Sequence, residues 1–199
     1  VLAAASQEEL RDYAMTCRQL TWGYLQLDGA KCRYYGRQAL AVAGRTGGIN
    51  TVFDVSILLG QTLWAAGEND SARGDYGKAA EALREIEAEC RTPEDLRDLE
   101  SGQARLWGTL GNFYAMQDSL EQFSYYYGKA GELFEKNGWL EDASTLHYNI
   151  GEVYLDQGGR RESRPEDEKA LSLGRESDDS LIIAHALYGM GRWHHESGH

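Results

Sequence analysis

Apolar side chains recur along this chain at intervals of three and four residues, the spacing that places them on one face of an α-helix. No segment has the alternation that is typical of a strand. The pattern predicts nine helices joined by short turns, which pair into four helical hairpins and leave the last helix unpaired. Their expected ranges are 7–27, 30–44, 51–66, 70–90, 93–116, 119–136, 140–157, 161–175 and 180–197.

Capping residues mark several of the predicted helix starts. The strongest start is at Thr92, an N-cap candidate that is followed by Pro93 and by two acidic residues in the first turn. The other expected caps are Ser6 with Glu9 and Ser119 with Gln122, both as capping boxes, and the single residues Asn50 and Asp179.

A repeat of about forty residues runs through the sequence, and glycine is its most regular member. Gly111, Gly151 and Gly191 stand forty residues apart, each after a large apolar residue, and Gly60 has the same setting. A glycine inside a helix costs about 1 kcal/mol relative to alanine, so these positions indicate close packing between helices. Three further columns accompany these glycines. The position three residues after the glycine holds Leu63, Tyr114, Tyr154 and His194, and the position seven residues after it holds Gly67, Asp118, Gly158 and Gly198. The position nineteen residues after it holds Ala79, Ala130 and Ala170.

One step of the repeat is longer than the others. The distance from Gly60 to Gly111 exceeds the forty-residue step by eleven residues, and the extra length falls around Thr92. Eleven residues correspond to about three turns of α-helix. We therefore expect the two helices on either side of Thr92 to be longer than their counterparts elsewhere in the chain.

These columns resemble the tetratricopeptide repeat family in its longer, roughly forty-residue form. The resemblance is best from Leu110 to Leu171 and good around Gly60, and it is loose in the first unit, where Gly23 and Ala39 stand in the corresponding columns. It implies an all-α fold, a right-handed superhelical α-solenoid of antiparallel helical hairpins in a single domain over 1–199. Its units would be 7–44, 50–90, 93–136, 140–175 and an incomplete 180–199.

A narrower resemblance, to the long-helix repeats of bacterial signalling proteins, implies an alternative role. The chain would then be a ligand-sensing or regulatory segment of a sensor kinase or a transcription activator. Because the sequence stops where the family places a turn before another helix, we expect a fragment of a longer protein. An unpaired last helix would leave an apolar face exposed, which offers a surface for self-association.

Net charge narrows the choice of partners. The chain carries 32 acidic and 20 basic side chains, a formal charge of −12, which repels nucleic acid and anionic membranes. No apolar run is long enough to cross a bilayer.

Cys17, Cys32 and Cys90 lack metal-ligand spacing and are expected to be free, buried thiols. We expect a cytoplasmic protein, with export as the alternative because Val1–Ser6 is similar to the end of a signal peptide.

Charged and polar residues interrupt two of the repeat units at positions that are apolar elsewhere. Asp167, for example, stands where the preceding unit has Tyr127. A charge at a buried column would be unpaired, so we expect these faces to be solvated, with the docking of a charged partner as the alternative. The residues concerned are Asn69, Arg73 and Asp75 in the second unit and Arg160, Asp167 and the nearby Arg164 and Pro165 in the fourth.

One stretch matches a catalytic signature. His195, Glu196, Ser197, Gly198 and His199 spell H-E-x-x-H, the motif of zinc proteases. Gly198 falls in a turn column of the repeat, so the two histidines are not expected to share a helix face, and a third ligand is missing. No glycine-rich phosphate loop or nucleophile elbow occurs. We therefore expect no catalytic residue, no metal site and no cofactor, and a zinc hydrolase is the third alternative.

The resemblance also implies where a partner would bind, in a groove lined by the first helix of each hairpin. Counted from the column glycines, the groove positions are Asp54, Ile57, Gln61 and Trp64; Arg105, Asn112 and Met116; Tyr148, Asn149, Glu152 and Asp156; and His185, Tyr188, Arg192 and His195. The lysine of the family's clamp for a terminal carboxylate is missing from this set. We therefore expect a non-enzymatic scaffold that binds a protein or peptide segment through asparagine, arginine and tyrosine side chains.

Overall fold

The structure is a computed structural model that describes residues 5–117, 119–178 and 180–196. Across these ranges the chain forms nine α-helices and no strand, which confirms the predicted all-α helical repeat fold. The helices are α1 (Gln7–Tyr24), α2 (Gly29–Thr46), α3 (Ile49–Ala65), α4 (Asn69–Glu89), α5 (Pro93–Ala115), α6 (Leu120–Asn137), α7 (Leu140–Asp156), α8 (Arg160–Glu176) and α9 (Ser180–Glu196). Each boundary lies within three residues of its predicted position.

The contacts between residues divide the chain into two compact units, Val1–Leu106 and Trp107–His199. The first unit contains α1 to α4 and α5 as far as Leu106, and the second contains the rest of α5 and α6 to α9. The expectation of a single domain stays a prediction.

Two hairpins form most of the first unit. Helix α1 packs against α2 and α3 packs against α4, while α3 also contacts α1 and α2. Because α3 has neighbours on several sides, ten of its seventeen residues are buried, and its sequence is apolar around most of its circumference. The core between the hairpins consists of Cys17, Ala39, Val55 and Leu59.

The second unit is built in the same way from α6 to α9. Helix α8 packs against both α7 and α9, and α7 also contacts α6 and α9. One apolar cluster joins Phe123, Tyr127 and Ala130 of α6 to Leu146 of α7. A second cluster joins Ala170 and Leu171 of α8 to Ala186 of α9. The unit is therefore held by small residues on one helix that receive large ones from the next.

Two of the expected helix caps are confirmed. At α1 the backbone N–H of Glu9 donates to the Ser6 hydroxyl at 3.2 Å, and the N–H of Ser6 donates to the Glu9 carboxylate at 2.7 Å. At α5 the Thr92 hydroxyl accepts from the N–H of Asp95 at 3.1 Å, and the Asp95 carboxylate accepts from the N–H of Thr92 at 2.8 Å. Both helices thus begin with a reciprocal capping box.

Two other expected caps are not found as predicted: the cap at Asn50 is wrong, and Ser119 is the N-cap of α6 but forms no capping box. Helix α3 begins at Ile49 after Gly48, so Asn50 lies in the first turn and is not the cap. The Ser119 hydroxyl donates to the side-chain oxygen of Gln122 at 2.5 Å and makes no bond to the backbone at the start of α6. The expected cap at Asp179 and the expected turn at Asp118 lie outside the described residues.

The long step of the repeat is explained by helix length. Helices α4 and α5 have 21 and 23 residues, whereas every other helix has 17 or 18. The extra residues therefore extend both helices that flank the strong start at Thr92, as the spacing predicts. This keeps the rest of the repeat in register on either side of the insertion.

Two of the column glycines, Gly60 and Gly111, receive an aromatic ring from the following helix. A Cβ at Gly60 would lie 2.4 Å from the ring of Tyr76, and one at Gly111 would lie 2.9 Å from the ring of Tyr127. Tyr76 is 1% exposed and Tyr127 is 2% exposed, so both rings are fully packed. The predicted close packing is confirmed, but its reason differs: the glycine makes room for a ring sixteen residues later along the chain.

Two other column glycines do not have this role. A Cβ at Gly23 or at Gly191 would meet no atom within 4 Å, and both glycines are exposed. Gly23 is therefore not the first-unit counterpart of Gly60, which corrects the register that the sequence indicates there. In the second unit the tightly covered glycine of α9 is Gly189 instead of Gly191.

The expectation that the interrupting charges are solvated is wrong for two residues. Asp75 is 7% exposed and Asp167 is 1% exposed. Asp75 is paired with Lys78, at 2.5 Å, so its charge is compensated. Solvation holds for the exposed side chains of Asn69, Arg73, Arg164 and Pro165, and the side chain of Arg160 lies outside the described part of the chain.

The cysteines follow the prediction in large part. Cys17 and Cys32 are buried free thiols, and Cys90 is free and half-buried. The Cys32 sulfur lies 3.0 Å from the Thr62 hydroxyl, a contact that ties α2 to α3. In the described residues, no helix is both long and apolar enough to span a membrane.

The glycine columns give a direct test of the packing. We expect Gly60→Ala to lower the free energy of unfolding by about 1 to 3 kcal/mol, because the new Cβ collides with the Tyr76 ring. The matched control is Gly77→Ala on the neighbouring helix α4, where a Cβ meets nothing within 4 Å. That change should raise stability by about 0.5 to 1 kcal/mol. Urea unfolding followed by circular dichroism measures both, and equal effects of the two changes would contradict this account.

Candidate binding site

The first unit contains a surface cavity of about 570 Å³ along α3. Helices α1, α3 and α5 contribute to it, together with the residue that follows α1. The cavity is lined by Arg18, Gln19, Trp22, Leu25, Asp54, Ile57, Leu58, Gln61 and Arg105. Its volume falls within the range of about 300 to 1,000 Å³ that is typical of ligand sites.

Helical periodicity explains why these residues meet. On α1 the lining positions 18 and 22 are four residues apart, and Leu25 follows the helix three residues later; on α3 the positions 54, 57, 58 and 61 are related by steps of three and four residues. The opposite face of α3 carries Val55 and Leu59 into the core between the hairpins. Packing of that core therefore fixes which side chains of α3 line the cavity.

An ionic triad of Arg18, Asp54 and Arg105 lies in the cavity. The Asp54 carboxylate accepts from Nη1 of Arg18 with one oxygen and from Nη2 of Arg105 with the other. The Arg105 guanidinium also lies 4.8 Å from the centre of the Phe53 ring, a cation–π contact. The side chain of Asp54 is 20% exposed, whereas those of Arg18 and Arg105 are 34% and 53% exposed. Asp54 thus holds two arginine heads in place while both remain accessible from solvent.

An apolar wall stands beside the ionic triad. Trp22 is 71% exposed, which is unusual for the largest side chain, and Ile57 and Leu58 are almost buried beneath the surface. Exposed tryptophan next to arginine is the combination that contributes most to protein interfaces. Gln19 and Gln61 add amide groups that both donate and accept hydrogen bonds.

The groove positions predicted for α3 and α5 agree well with this cavity. Asp54, Ile57, Gln61 and Arg105 all line it. Trp64 lines an adjacent cavity of about 580 Å³, which Gln61 shares and which lies between the turn after α1 and the end of α3. The structure therefore brings together the predicted residues of the first unit.

The contribution of α1 was missed because its register was wrong. Counting from Gly23 does not select Arg18 or Trp22. Counting nineteen residues back from the buried Ala39 reaches Leu20, and the groove offsets from that position select Arg18 and Leu25. The alanine column therefore indicated Arg18 and Leu25 but not Trp22, and the glycine at position 23 obscured this signal.

In the second unit, the predicted residues of α7 and α9 also come together, but they bind each other. Arg192 donates to Glu152 at 2.6 Å and to Asp156 at 2.8 Å. The ring of Tyr148 stacks on that of His185, with 5.3 Å between the centroids. Tyr188 is 61% exposed beside them. This cluster is an intramolecular network that links α7 to α9.

The two predicted asparagines serve a structural tyrosine. Asn112 accepts a hydrogen bond from the hydroxyl of Tyr127 at 2.6 Å. Burial raises the pKa of Tyr127 to about 12, and a hydrogen bond with Asn149 acts in the opposite direction. Asn112 and Asn149 therefore satisfy the polar end of the ring that covers Gly111. Met116, by contrast, is 74% exposed.

Beneath the network of α7 and α9 lies Asp167 of α8, whose two carboxylate oxygens have no hydrogen-bond partner among the described residues. Cβ atoms placed at Gly151 and Gly189 would lie 2.7 and 2.5 Å from its Oδ1. Burial, together with the negative charges of Glu152 and Glu166, raises the pKa of Asp167 to about 6, and Arg192 acts in the opposite direction. Asp167 thus occupies the place that a tyrosine ring fills in other hairpins.

A smaller cavity of about 300 Å³ lies between α6 and α7, with Glu166 of α8 at its edge. In it the His147 ring nitrogen lies 2.6 Å from the Glu166 carboxylate, and the nearby Glu135 pairs with Lys169 at 2.7 Å. Over the described ranges, no group of three or more histidine, cysteine or acidic side chains is arranged to hold a metal ion. The Ser197, Gly198 and His199 positions of the H-E-x-x-H motif, and the side chain of Glu196, lie outside those ranges.

Comparisons with known proteins bear on the fold alone. No protein-family model matches the sequence, and no curated protein matches it. The solved structures similar to this chain include BtubC (BKLC) from P. vanneervenii, with a TM-score of 0.60 over 98% of this chain and 85% of that chain. The sequence identity is 14%, so the likeness supports the all-α helical repeat and carries nothing about the site.

The buried aspartate predicts a pH dependence. In an unfolded chain the pKa of aspartate is 3.8, whereas in the folded protein that of Asp167 is about 6, so folding favours its protonated form. The cost of the buried charge is absent below about pH 4, grows as the pH rises, and is complete above about pH 6. We expect Asp167→Asn to stabilise the protein by about 2 to 3 kcal/mol at pH 8 and to have little effect at pH 4.

Thermal unfolding across this pH range measures the effect. The matched control is Glu176→Gln, which removes a charge from an exposed position on the same helix. The charged groups that face Asp167 are Glu152 and Arg192 from α7 and α9 and Glu166 from its own helix. A stabilisation by Asp167→Asn that is the same at pH 4 and pH 8 would show that the buried charge is not its source.

Proposed function

We propose that this chain is a non-enzymatic binding module that holds an extended segment of a partner protein on the face formed by α1, α3 and α5. The observation that carries the proposal is the cavity in which an exposed Trp22 stands beside two arginines that Asp54 orients. Tryptophan and arginine are the side chains most enriched where protein interfaces gain their affinity.

The shape of the site supports a segment rather than a large flat surface. The cavity lies among the first helices of successive hairpins, and the resemblance of the sequence to tetratricopeptide repeats implies the same place for a bound peptide. The lining helices are packed against a buried core, so the receptor side loses little conformational entropy when a segment docks. The amides of Gln19 and Gln61 suit the backbone of an extended chain, whose N–H and C=O groups need partners.

Charge supports a protein partner as well. The chain has a net charge of −12, which disfavours nucleic acid over most of its surface. The Arg192 cluster of the second unit is bound within its own helices, so the first-unit cavity is the better candidate for a partner. The role of a regulatory segment in a signalling protein stays an alternative and would use the same kind of binding.

The proposal can be tested with a library of random peptides displayed on phage, selected against the purified chain. For the peptides that bind, we expect Trp22→Ala to lower the affinity by tenfold or more, since a buried tryptophan contact is worth about 2 kcal/mol. The matched control is Tyr34→Ala, which removes an aromatic side chain that is 59% exposed on α2 and outside the cavity. Fluorescence polarisation of labelled peptides measures both variants.

Two results would count against the proposal. The first is a library from which no peptide binds the folded chain. The second is a set of bound peptides whose affinity falls equally with Trp22→Ala and Tyr34→Ala, because the binding face would then lie elsewhere. Circular dichroism of each variant shows whether the helices are intact.

A further inference from the structure

We infer that the cavity of the first unit selects partner segments that carry an aspartate or glutamate side chain next to an apolar residue. This inference rests on the proposed function and specifies its ligand. It concerns a side chain within the segment and not the end of a chain.

The cavity has a local charge of the opposite sign to that of the whole protein. The protein as a whole carries a charge of −12. Among the nine residues that line the cavity, however, the charged ones are Arg18, Arg105 and Asp54, which together give a charge of +1. The other six lining side chains are uncharged. A surface that is acidic overall therefore contains a positively charged site, and charge complementarity there favours an anionic group.

The two arginines of the cavity are both held by Asp54. The guanidinium group is planar and matches the two oxygens of a carboxylate, which makes arginine the usual partner for such groups. Asp54 already holds both guanidinium heads towards one point, and the contact with Phe53 fixes Arg105 further. A ligand carboxylate thus meets side chains whose conformations are largely set, which lowers the entropy lost on binding.

The cavity that contains the arginines is also lined by apolar side chains. Trp22 is 71% exposed, and Leu25, Ile57 and Leu58 line the same cavity, with Ile57 and Leu58 nearly fully buried. A carboxylate alone would leave this surface in contact with water. A segment that places an apolar side chain beside the acidic one covers both parts of the site, and burial of apolar surface near an ion pair also strengthens the pair.

The arginines are accessible enough to take part. The side chains of Arg18 and Arg105 are 34% and 53% exposed, so neither is sealed in the core. An ion pair at such a site keeps part of its solvation, and hydrogen bonds between charged groups are roughly twice as strong as those between neutral groups. An acidic ligand side chain should therefore change the affinity by about tenfold to a hundredfold.

The test begins with a library in which the random peptides are displayed between glycine and serine flanks, so that no free chain end is offered. We expect the selected sequences to be enriched in aspartate or glutamate adjacent to an apolar residue. One selected peptide is then synthesised with both ends blocked, in a glutamate and a glutamine form. Fluorescence polarisation should show that the glutamine form binds wild-type protein about tenfold or more weakly.

Protein variants assign the effect to the two arginines. With Arg18→Gln, and separately with Arg105→Gln, we expect the glutamate peptide to lose about tenfold in affinity and the glutamine peptide to change less than about twofold. The matched control is Arg11→Gln, which removes an exposed charge from α1 outside the cavity and should alter neither affinity. Because the glutamate-to-glutamine comparison needs no protein variant, it remains decisive if one variant fails to fold.

Several outcomes would overturn the inference. Peptides that depend on Trp22 but show no preference for acidic residues would leave the proposed function standing and refute its acidic specificity. A library that yields no binder would refute both. A peptide with phosphoserine in place of glutamate that binds more than tenfold more tightly would make the ligand a phosphorylated segment. Free glutamate that competes at the same concentration as the peptide would make the site one for a small molecule.

Discussion

The fold depends on one repeated contact, in which a large side chain of one helix fills the space that a glycine leaves on its partner. The rings of Tyr76 and Tyr127 lie where a Cβ of Gly60 or Gly111 would be. A glycine inside a helix costs about 1 kcal/mol, whereas full burial of an aromatic ring contributes about 1.5 to 3 kcal/mol, so the exchange is favourable. The ring also fixes the height at which the two helices meet. Each hairpin is therefore held in one register.

The same position shows what happens when the ring is replaced by a charge. Asp167 lies over Gly151 in the second unit and has no hydrogen-bond partner among the described side chains and backbone. It lies beneath the network in which Arg192 binds Glu152 and Asp156. Burial and the negative charges of Glu152 and Glu166 raise the pKa of Asp167 to about 6, and Arg192, which already binds two carboxylates, offsets only part of this rise. The second unit therefore holds a charge that costs stability at neutral pH.

The first unit uses its charges differently. There Asp54 holds two arginines at a surface cavity, and an exposed tryptophan stands beside them. The charged residues that line the first-unit cavity are two arginines and one aspartate, which makes the site positive, whereas Arg192 of the second unit is bound by Glu152 and Asp156. The net charge of each cluster, more than the number of its ion pairs, makes the first-unit cavity the binding candidate.

Much of the fold was predictable from the sequence. The period of apolar residues located nine helices over the described ranges, and the glycine and alanine columns identified a hairpin repeat, because both depend on local geometry and on spacing that the chain itself carries. Helix length around Thr92 followed from the longer step between Gly60 and Gly111 for the same reason. Asp54, Ile57, Gln61 and Arg105 could be predicted to lie close together because their register is tied to those glycines.

Other features depended on contacts between distant parts of the chain. The burial of Asp167 was not predictable, since a charged residue on a helix surface is usually solvated and only the packing of α7 and α9 over it decides otherwise. The place of Arg18 and Trp22 in the cavity depends on how α1 lies against α3, which Gly23 concealed. The sequence by itself determined which elements form and which columns repeat. The tertiary structure alone decided which charged side chains meet, because an ion pair requires atoms within a few ångströms and local spacing does not specify such distances between helices.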